Sequence, residues 1–285
     1  MLNNSMILAV VVLYRCQPPQ SATISSLRRS LQESSARVHV LVYDNSPSAW
    51  DGNWDSNWTY HHDPANGGIR AAYECALQFA APDFSWLLLL DQDSELPPEF
   101  LRQLFLAAYN CTENHQVAAI VPRVYASNRL VSPLRVRIGR RKQTFQTGLL
   151  PFEVTCLNSG ATLRLKFLRE LGGFNPEFWL DFLDYWVFHE IHRRGFQVFV
   201  MEAALQHRLS VLDYNHDVSF ERYRNILSAE MRFTNHYRPF LERLLLVPRL
   251  GARVVKQALK VRDKRIALHS SRAMVEQFTS LFRND

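Results

Sequence analysis

The chain has 285 residues, 33 Lys and Arg against 27 Asp and Glu, and a hydrophobic share of 47%, which excludes a disordered or fibrous protein and suits one large domain with an appendage. Its four cysteines, Cys16, Cys75, Cys111 and Cys156, are scattered without CxxC spacing, so neither a zinc site nor a disulfide framework is expected and the thiols read as reduced. The net charge of +6 resides in residues 241–285, which hold 10 Lys and Arg against 4 Asp and Glu, while residues 1–240 are balanced.

Met6–Leu13 is a short apolar run without a basic leader, and Arg15 follows closely. It reads as a buried strand over 6–14 rather than a signal peptide or membrane span, which places the protein in the cytoplasm. Ile24, Leu27 and Leu31 predict a helix near 20–34. The strand Val38–Tyr43 runs into Asp44-Asn45-Ser46-Pro47, a turn signal. Residues 51–58, rich in Trp, Asn and Asp, read as loop. A strand near 58–62, the turn Asn66-Gly67-Gly68, a helix over 69–81 and a strand over 85–91 come next. A helix near 97–109 and the strand Val117–Val121 complete the first half. This alternation predicts an α/β fold with a mainly parallel sheet, whose ligands bind beyond the carboxyl ends of the strands. Asp44, Asn66, Asp91 and Asp93 all fall at that edge.

The most informative stretch is Leu87–Leu90 followed by Asp91-Gln92-Asp93-Ser94. Two carboxylates at the end of a core strand repel one another unless a cation or hydrogen-bond donors offset the charge. A divalent metal carrying a diphosphate suits them, because hard cations take carboxylate and phosphate oxygens together. The alternative is a helix start at Pro97-Pro98-Glu99, with Asp91 or Asp93 as a cap. Beyond it, Arg135, Arg137, Arg140, Arg141 and Lys142 mark a basic loop over 133–144, either solvated surface or a substrate-closing lid. A strand over 152–157, a helix over 167–171 ending at Gly172-Gly173, a helix over 181–194, a strand over 196–200 and a helix over 217–238 follow.

In this order, Asp44-Asn45, Asn66-Gly67-Gly68, Asp91-Gln92-Asp93, Ser159-Gly160, Gly172-Gly173-Phe174, Leu180-Asp181-Phe182-Leu183-Asp184 and Leu205-Gln206-His207 resemble the inverting family 2 glycosyltransferases of the GT-A fold, within them the rhamnosyltransferase-like group. The likeness covers residues 6–240. It implies a nucleotide-sugar-binding half over 1–125, an acceptor and catalytic half over 150–240, and a basic helical extension over 241–285.

What the resemblance implies residue by residue agrees with the chemistry of each group. Asp44 matches the contact to the donor's nucleobase and, ionised, accepts the N–H edge of uracil or thymine; a turn-forming Asp is the rival role. Asn66, Gly67 and Gly68 lead into a helix whose amides face donor phosphates or sugar. Asp91 matches a ribose or metal-shell contact. Asp93 matches the direct ligand of Mn2+ or Mg2+, and His207 the group completing the metal or diphosphate contacts. Asp184 matches the general base that deprotonates the acceptor hydroxyl. Asp181, three residues earlier and on the same face of the expected helix, is an acceptor or supporting residue; helix capping is the alternative for both. Arg224, in Tyr223-Arg224-Asn225, matches a phosphate contact, with a helix-surface arginine as the other reading.

The departures are Tyr14-Arg15-Cys16 after the first strand, Glu74 in the helix after Asn66, and Tyr185-Trp186-Val187 after the base. They put rhamnose as the transferred sugar in doubt. The implied reaction moves a sugar from dTDP-rhamnose or a UDP-sugar to a glycan or lipid-linked acceptor in bacterial surface-polysaccharide synthesis. The rival is a catalytically inactive binding or scaffold protein of the same fold. No Gly-x-Gly-x-x-Gly follows the first strand, which argues against a dehydrogenase.

In the tail, Leu250, Val254, Ala258 and Val261 recur at helical spacing, widened by Val255, Leu259 and Ile266 and flanked by Arg and Lys. A basic amphipathic helix over 249–266 suits an anionic membrane surface, and the protein is then peripheral at the inner face of the cell membrane. Packing on its own domain or on a second copy is the other reading. No aromatic stacking pattern accompanies the charges, so nucleic acid is not an expected partner.

Overall fold

The computed structural model describes residues 6–34, 37–126, 129–136, 145–207 and 218–282, with His207 by its backbone alone. The chain divides into two compact units, residues 1–208 and 209–285.

The first unit is built on a ten-stranded mixed sheet in the order β3-β2-β1-β4-β11-β6-β12-β5, with β7 beside β6 and β9 beside β12. The strands are β1 (Met6–Leu13), β2 (Val38–Asp44), β3 (Trp58–His62), β4 (Phe84–Asp91), β5 (Ser94–Glu95), β6 (Val117–Ala126), β7 (Arg129–Ser132), β8 (Leu134–Arg135), β9 (Gly148–Leu149), β10 (Val154–Thr155), β11 (Thr162–Arg164) and β12 (Gln197–His207). β8 and β10 form a separate ribbon. The helices of this unit are α1 (Ala22–Gln32), α2 (Gly68–Phe79), α3 (Phe100–Asn110), α4 (Leu165–Leu171) and α5 (Leu183–Arg193). β1 and β4 are continuous apolar runs because both faces of a parallel sheet are covered; Ile7 to Val11 and Leu87 to Leu90 are essentially inaccessible.

β1, β2, β3 and β4 are parallel. β11 then enters antiparallel between β4 and β6, a reversal invisible in the local sequence pattern. The expected strand over 152–157 is reduced to the two residues of β10, and the strand expected over 196–200 extends to His207. Of the expected basic loop, Arg135 lies in β8 with its guanidinium 4.2 Å from the centre of the Phe152 ring; Arg137, Arg140, Arg141 and Lys142 lie outside the described residues. The four cysteines are free thiols.

The second unit holds α6 (Phe220–Tyr237), α7 (Phe240–Lys260) and α8 (Lys264–Ser280). Tyr223, Leu227, Leu246, Leu250, Val261 and Ile266 make its core. A buried chain of hydrogen bonds joins the three helices: Tyr223 Oη to Ser270 Oγ at 2.5 Å, then Ser270 Oγ to Gln257 Oε1 at 2.7 Å. Arg253 pairs in two-pronged fashion with Glu230 at 2.6 and 2.8 Å. The compact boundary therefore precedes α6, whereas the sequence pattern predicts it after residue 240. The reason is that the apolar face of α6, with Tyr223 and Leu227, is buried against α7 and α8.

The tail stripe also divides. Leu250, Val261 and Ile266 are buried, whereas Val255 and Leu259 are exposed. A stripe drawn through 250–266 assumes one helix, but α7 ends at Lys260 and a new helix starts at Lys264, capped by Asp263, whose carboxylate accepts the Arg265 N–H at 3.0 Å.

Candidate active site

Register sets the site. Leu13 lies opposite Asp44, Asp44 opposite His62, and Val12 opposite Asp91, so four strand ends open on one edge. β2 and β4 flank β1, which puts Asp44 and Asp91 two strand spacings apart, roughly 10 Å. The strand order reverses at β1, and that is where the polypeptide leaves a crevice.

Asp44 is 2% exposed and lines a cavity of about 410 Å³ with Arg15, Cys16, Gln17, Ser46 and Trp50. Its Oδ1 accepts the Ser46 N–H at 2.9 Å, so the turn-forming role is realised, and its Oδ2 accepts the Tyr60 hydroxyl at 2.7 Å. Each carboxylate oxygen has a second lone pair, so this fixed group still accepts a ligand N–H. Burial, together with Asp44, pushes the Tyr60 hydroxyl up to about 12 and keeps it a donor. The Trp50 N–H donates to the Tyr60 oxygen at 2.8 Å, and Trp54 stacks on Tyr60 and on Trp58. The Trp-rich loop is thus the support of Asp44.

The Asp91–Ser94 turn is held by α1. The buried hydroxyl of Thr23 donates to the Asp91 carbonyl and accepts the Ser94 N–H at 2.8 Å, while Ser21 Oγ donates to the Gln92 carbonyl at 2.7 Å. Ser26 accepts the Leu96 N–H at 3.1 Å, and Ser30 accepts the Leu101 N–H at 3.2 Å. Thr23, Ser26 and Ser30 recur at spacings of three and four, a hydroxyl face that the apolar pattern of Ile24, Leu27 and Leu31 concealed. Thr23→Val keeps the shape but strands buried backbone groups, and is expected to cost about 1–3 kcal/mol in urea unfolding. An unchanged denaturation midpoint would overturn that role. The Ser159 hydroxyl donates to Asp91 Oδ2 at 2.5 Å. Register places His207 opposite Ser94, which brings the end of β12 beside this turn.

Asn66 at φ 54° and Gly68 at φ 75° turn the chain into α2. The amides expected to face a donor are partly committed: Gly67 N–H donates to Asp63 Oδ2 at 2.9 Å and Arg70 N–H to the Trp179 carbonyl at 3.1 Å. That carbonyl lies 2.4 Å from where a side chain on Gly68 would begin. Glu74 accepts the Phe174 N–H at 2.6 Å and fills the space over Gly173, so this departure from the family pattern braces the Gly172-Gly173 turn.

Asp184 sits in the first turn of α5, and its carboxylate accepts the Tyr185 N–H at 2.8 Å. Phe182, at φ 64°, is the residue that begins the helix. Asp181 therefore precedes α5 rather than sharing a helical face with Asp184, because the left-handed Phe182 breaks the helix between them. Burial pushes the Asp184 carboxyl up to about 7, against the Tyr185 N–H, and the charges of Asp181 and Asp91 add to the rise. The same two carboxylates, Asp91 and Asp184, hold the buried Tyr73 hydroxyl well above its usual range, after burial itself. Cys16 is likewise raised by burial, then by Asp44 and Asp93. Among the described residues, three non-glycine residues have left-handed backbones, Arg15, Asn66 and Phe182, and all three lie in loops around these carboxylates, where such strain is tolerated only if the surroundings enforce it.

The structure thus couples Asp44 and Asp93 at Cys16, and Asp91 and Asp181 at Asp184, while Gly68 packs against Trp179. Arg224 belongs to the second unit, where it pairs with Glu221 at 3.8 Å. The sequence gives no signal for the roles of Tyr60, Ser159, Thr23 and Glu74, since each acts through a partner distant in the chain.

A mainly parallel sheet with acidic strand ends at its switch point has the arrangement in which α/β proteins bind ligands beyond the carboxyl ends of their strands. The model of glycosyl transferase family 2 matches residues 9–172, and the chain belongs to that family. It is a glycosyltransferase of GT-A fold. The matched stretch contains Asp44, Asn66, Asp91 and Asp93; Asp181, Asp184, His207 and Arg224 lie beyond it. Among solved structures, residues 1–349 of S. aureus TarS, in complex with UDP, superpose with a TM-score of 0.50 at 16% identity, covering 97% of this chain and 90% of that one. The mannosyltransferase PcManGT from Pyrobaculum calidifontis, in complex with GDP-Man and Mn2+, gives 0.49 at 13% identity, covering 96% and 87%. Comparison with curated protein sequences finds no match.

Proposed function

We propose that the protein is an inverting, metal-dependent glycosyltransferase that moves a sugar from dTDP-rhamnose or a UDP-sugar to a glycan or lipid-linked acceptor of bacterial surface polysaccharide, at the cytoplasmic face of the membrane. The observation that carries this reading is Asp184, a carboxyl pushed up to about 7 within electrostatic reach of Asp91. A general base works best with its pKa near the operating pH.

Asp184 takes the proton of the acceptor hydroxyl as that oxygen bonds to the anomeric carbon, and the bond to the diphosphate breaks on the opposite face. Asp44, fixed by Tyr60 and Ser46, accepts the base N–H. Asp91, oriented by Ser159, takes the ribose, and Asn66, Gly67 and Gly68 shape the sugar-phosphate cradle. Asp181 is assigned a supporting role toward the acceptor.

A divalent cation fits the donor set. The charges of Asp44, Asp91, Asp93 and Asp184 raise their neighbours' pKa values, a field that a cation offsets. Among the described side chains, which exclude that of His207, no three Asp, Glu, His or Cys residues form a metal cage. Mg2+ and Mn2+ sites of one or two carboxylates completed by substrate phosphates have this character. Asp93 and His207 would hold the ion, which when bound offsets charge on the departing diphosphate.

The test is thermal melting of the protein against nucleoside-diphosphate sugars, with Mn2+ and with chelator. At a hundredfold excess over Kd, the matching donor adds about 2.7 kcal/mol of stability. The gain should require the metal and vanish in Asp93→Ala. A well-folded sample that no nucleotide sugar stabilises would favour the binding-protein reading instead.

A further inference from the structure

Among the described residues, nine of the seventeen large hydrophobic side chains that are exposed belong to residues 240–282. Along α7, the exposed positions Leu241, Leu244, Pro248, Ala252, Val255 and Leu259 fall at spacings of three, four, four, three and four, which aligns them on one face of the helix. This face lies away from Leu246, Leu250 and Gln257, which are buried. Contacts of Gly251 with Met274, Gln257 with Ser270 and Arg243 with Gln277 run α7 and α8 antiparallel. α8 adds Leu268, Val275 and Phe278, exposed by 53, 57 and 52%, and Phe282 just beyond its end is 72% exposed. Such a surface costs free energy in water and is not needed to close the core of this unit.

Charge identifies its occupant. Arg249 and Lys256 sit three and four residues from Ala252 on α7, Lys260 follows Lys256 by one turn, and Arg272 lies between Leu268 and Val275; all four are exposed. Of the acidic groups of the hairpin, Glu242 is engaged by Arg238 and Asp263 by Arg265, while Glu276 is exposed one turn after Arg272, so that the four cations outnumber it. A second copy docking on this face would set like charges against one another, whereas anionic headgroups would neutralise them. Among the described residues no helix is long and apolar enough to cross a membrane, so the hairpin suits a position in the plane of the interface. Pro248 fits there too: lacking an N–H it leaves the Leu244 carbonyl unpaired in the helix, on the face that meets water and headgroups.

We infer that the α7–α8 hairpin is a membrane-binding surface for a bilayer containing anionic lipid, with the stripe Leu241 to Leu259 as its apolar side. This corrects the stripe expected from sequence, whose members Leu250, Val261 and Ile266 are core. The inference does not depend on the transfer reaction, since vesicle binding is read without turnover.

The experiment is flotation of the full chain with phosphatidylcholine vesicles, with and without phosphatidylglycerol, at low and high salt. Binding is expected to the anionic vesicles and to weaken with salt. Each cation removed lowers partition about fivefold, so Lys256→Gln with Lys260→Gln should weaken it about 25-fold. Leu244→Gln with Leu259→Gln should weaken it while leaving the melting temperature intact, because both side chains are exposed. Absence of binding, equal binding to neutral vesicles, or full binding by both folded variants would overturn the inference. So would a dimer in solution that the leucine variants dissociate, which would give the face to a second copy.

Discussion

Asp184→Asn is expected to lower kcat/KM by about 10²–10⁴ while leaving the protein folded. Asparagine keeps the side-chain oxygen that accepts the Tyr185 N–H and removes only the site that receives the acceptor proton. It also removes a charge that the surroundings disfavour, so the melting temperature at pH 8 should hold or rise. Steady-state kinetics beside a melting curve separate these effects. Retained turnover would exclude Asp184 as the base; a collapse of melting would make it a structural residue.

The pH dependence has a definite sign. The carboxylate is the active form, so wild-type kcat/KM should climb with pH and level off above about 7. Stability should move oppositely. The folded-state pKa lies above the unfolded carboxylate value, so the native state binds more protons between about pH 4 and 7. The contribution of this group is complete below that window and is lost as pH rises through about 7. In Asp184→Asn that part of the slope should vanish, and an identical slope in both proteins would show that Asp184 titrates normally.

Gly68→Ala is the second large effect. A side chain there is forced into a left-handed backbone at φ 75° and starts 2.4 Å from the Trp179 carbonyl. Conformational strain of about 1–2 kcal/mol adds to overpacking of about 1–3 kcal/mol, so roughly 2–5 kcal/mol of destabilisation follows. Relief requires Trp179 to move, and with it the segment that leads to Asp181 and Asp184, so activity should fall beyond the loss of stability. Gly172→Ala is the control: its φ is 88°, but nothing lies within 4 Å, and only the conformational cost should appear. Equal losses in the two variants would mean that the contact with Trp179 yields cheaply.

The class of fold and the acidic strand ends were legible in the chain because they are written in local periodicity. Val38–Asp44 and Phe84–Asp91 are apolar runs that stop at carboxylates, and alternation with helices implies a parallel sheet with those ends on one edge. Other features depend on which distant partner a segment meets. β11 reverses direction between β4 and β6 through hydrogen bonds to residues more than forty positions away. The hydroxyls of α1 read as ordinary polar helix positions until the Asp91–Ser94 turn lies against them. Phe182 gives no sign of its left-handed backbone, so the helix expected from 181 begins after the residue that separates Asp181 from Asp184.

The tail makes the same point from the opposite direction. Amphipathic spacing predicts a basic helix over 249–266, but α7 carries apolar residues on two faces. Periodicity alone does not choose between them. Leu246 and Leu250 became core because Tyr223, Leu227 and Ile266 complement them, leaving Leu241 to Leu259 outside. Sequence by itself determined the leading parallel strands β1 to β4, the helices between them and the carboxylates that end β2 and β4. Only the tertiary structure decided which groups orient those carboxylates and which apolar face remains uncovered, because burial is a property of pairs of surfaces and not of either one.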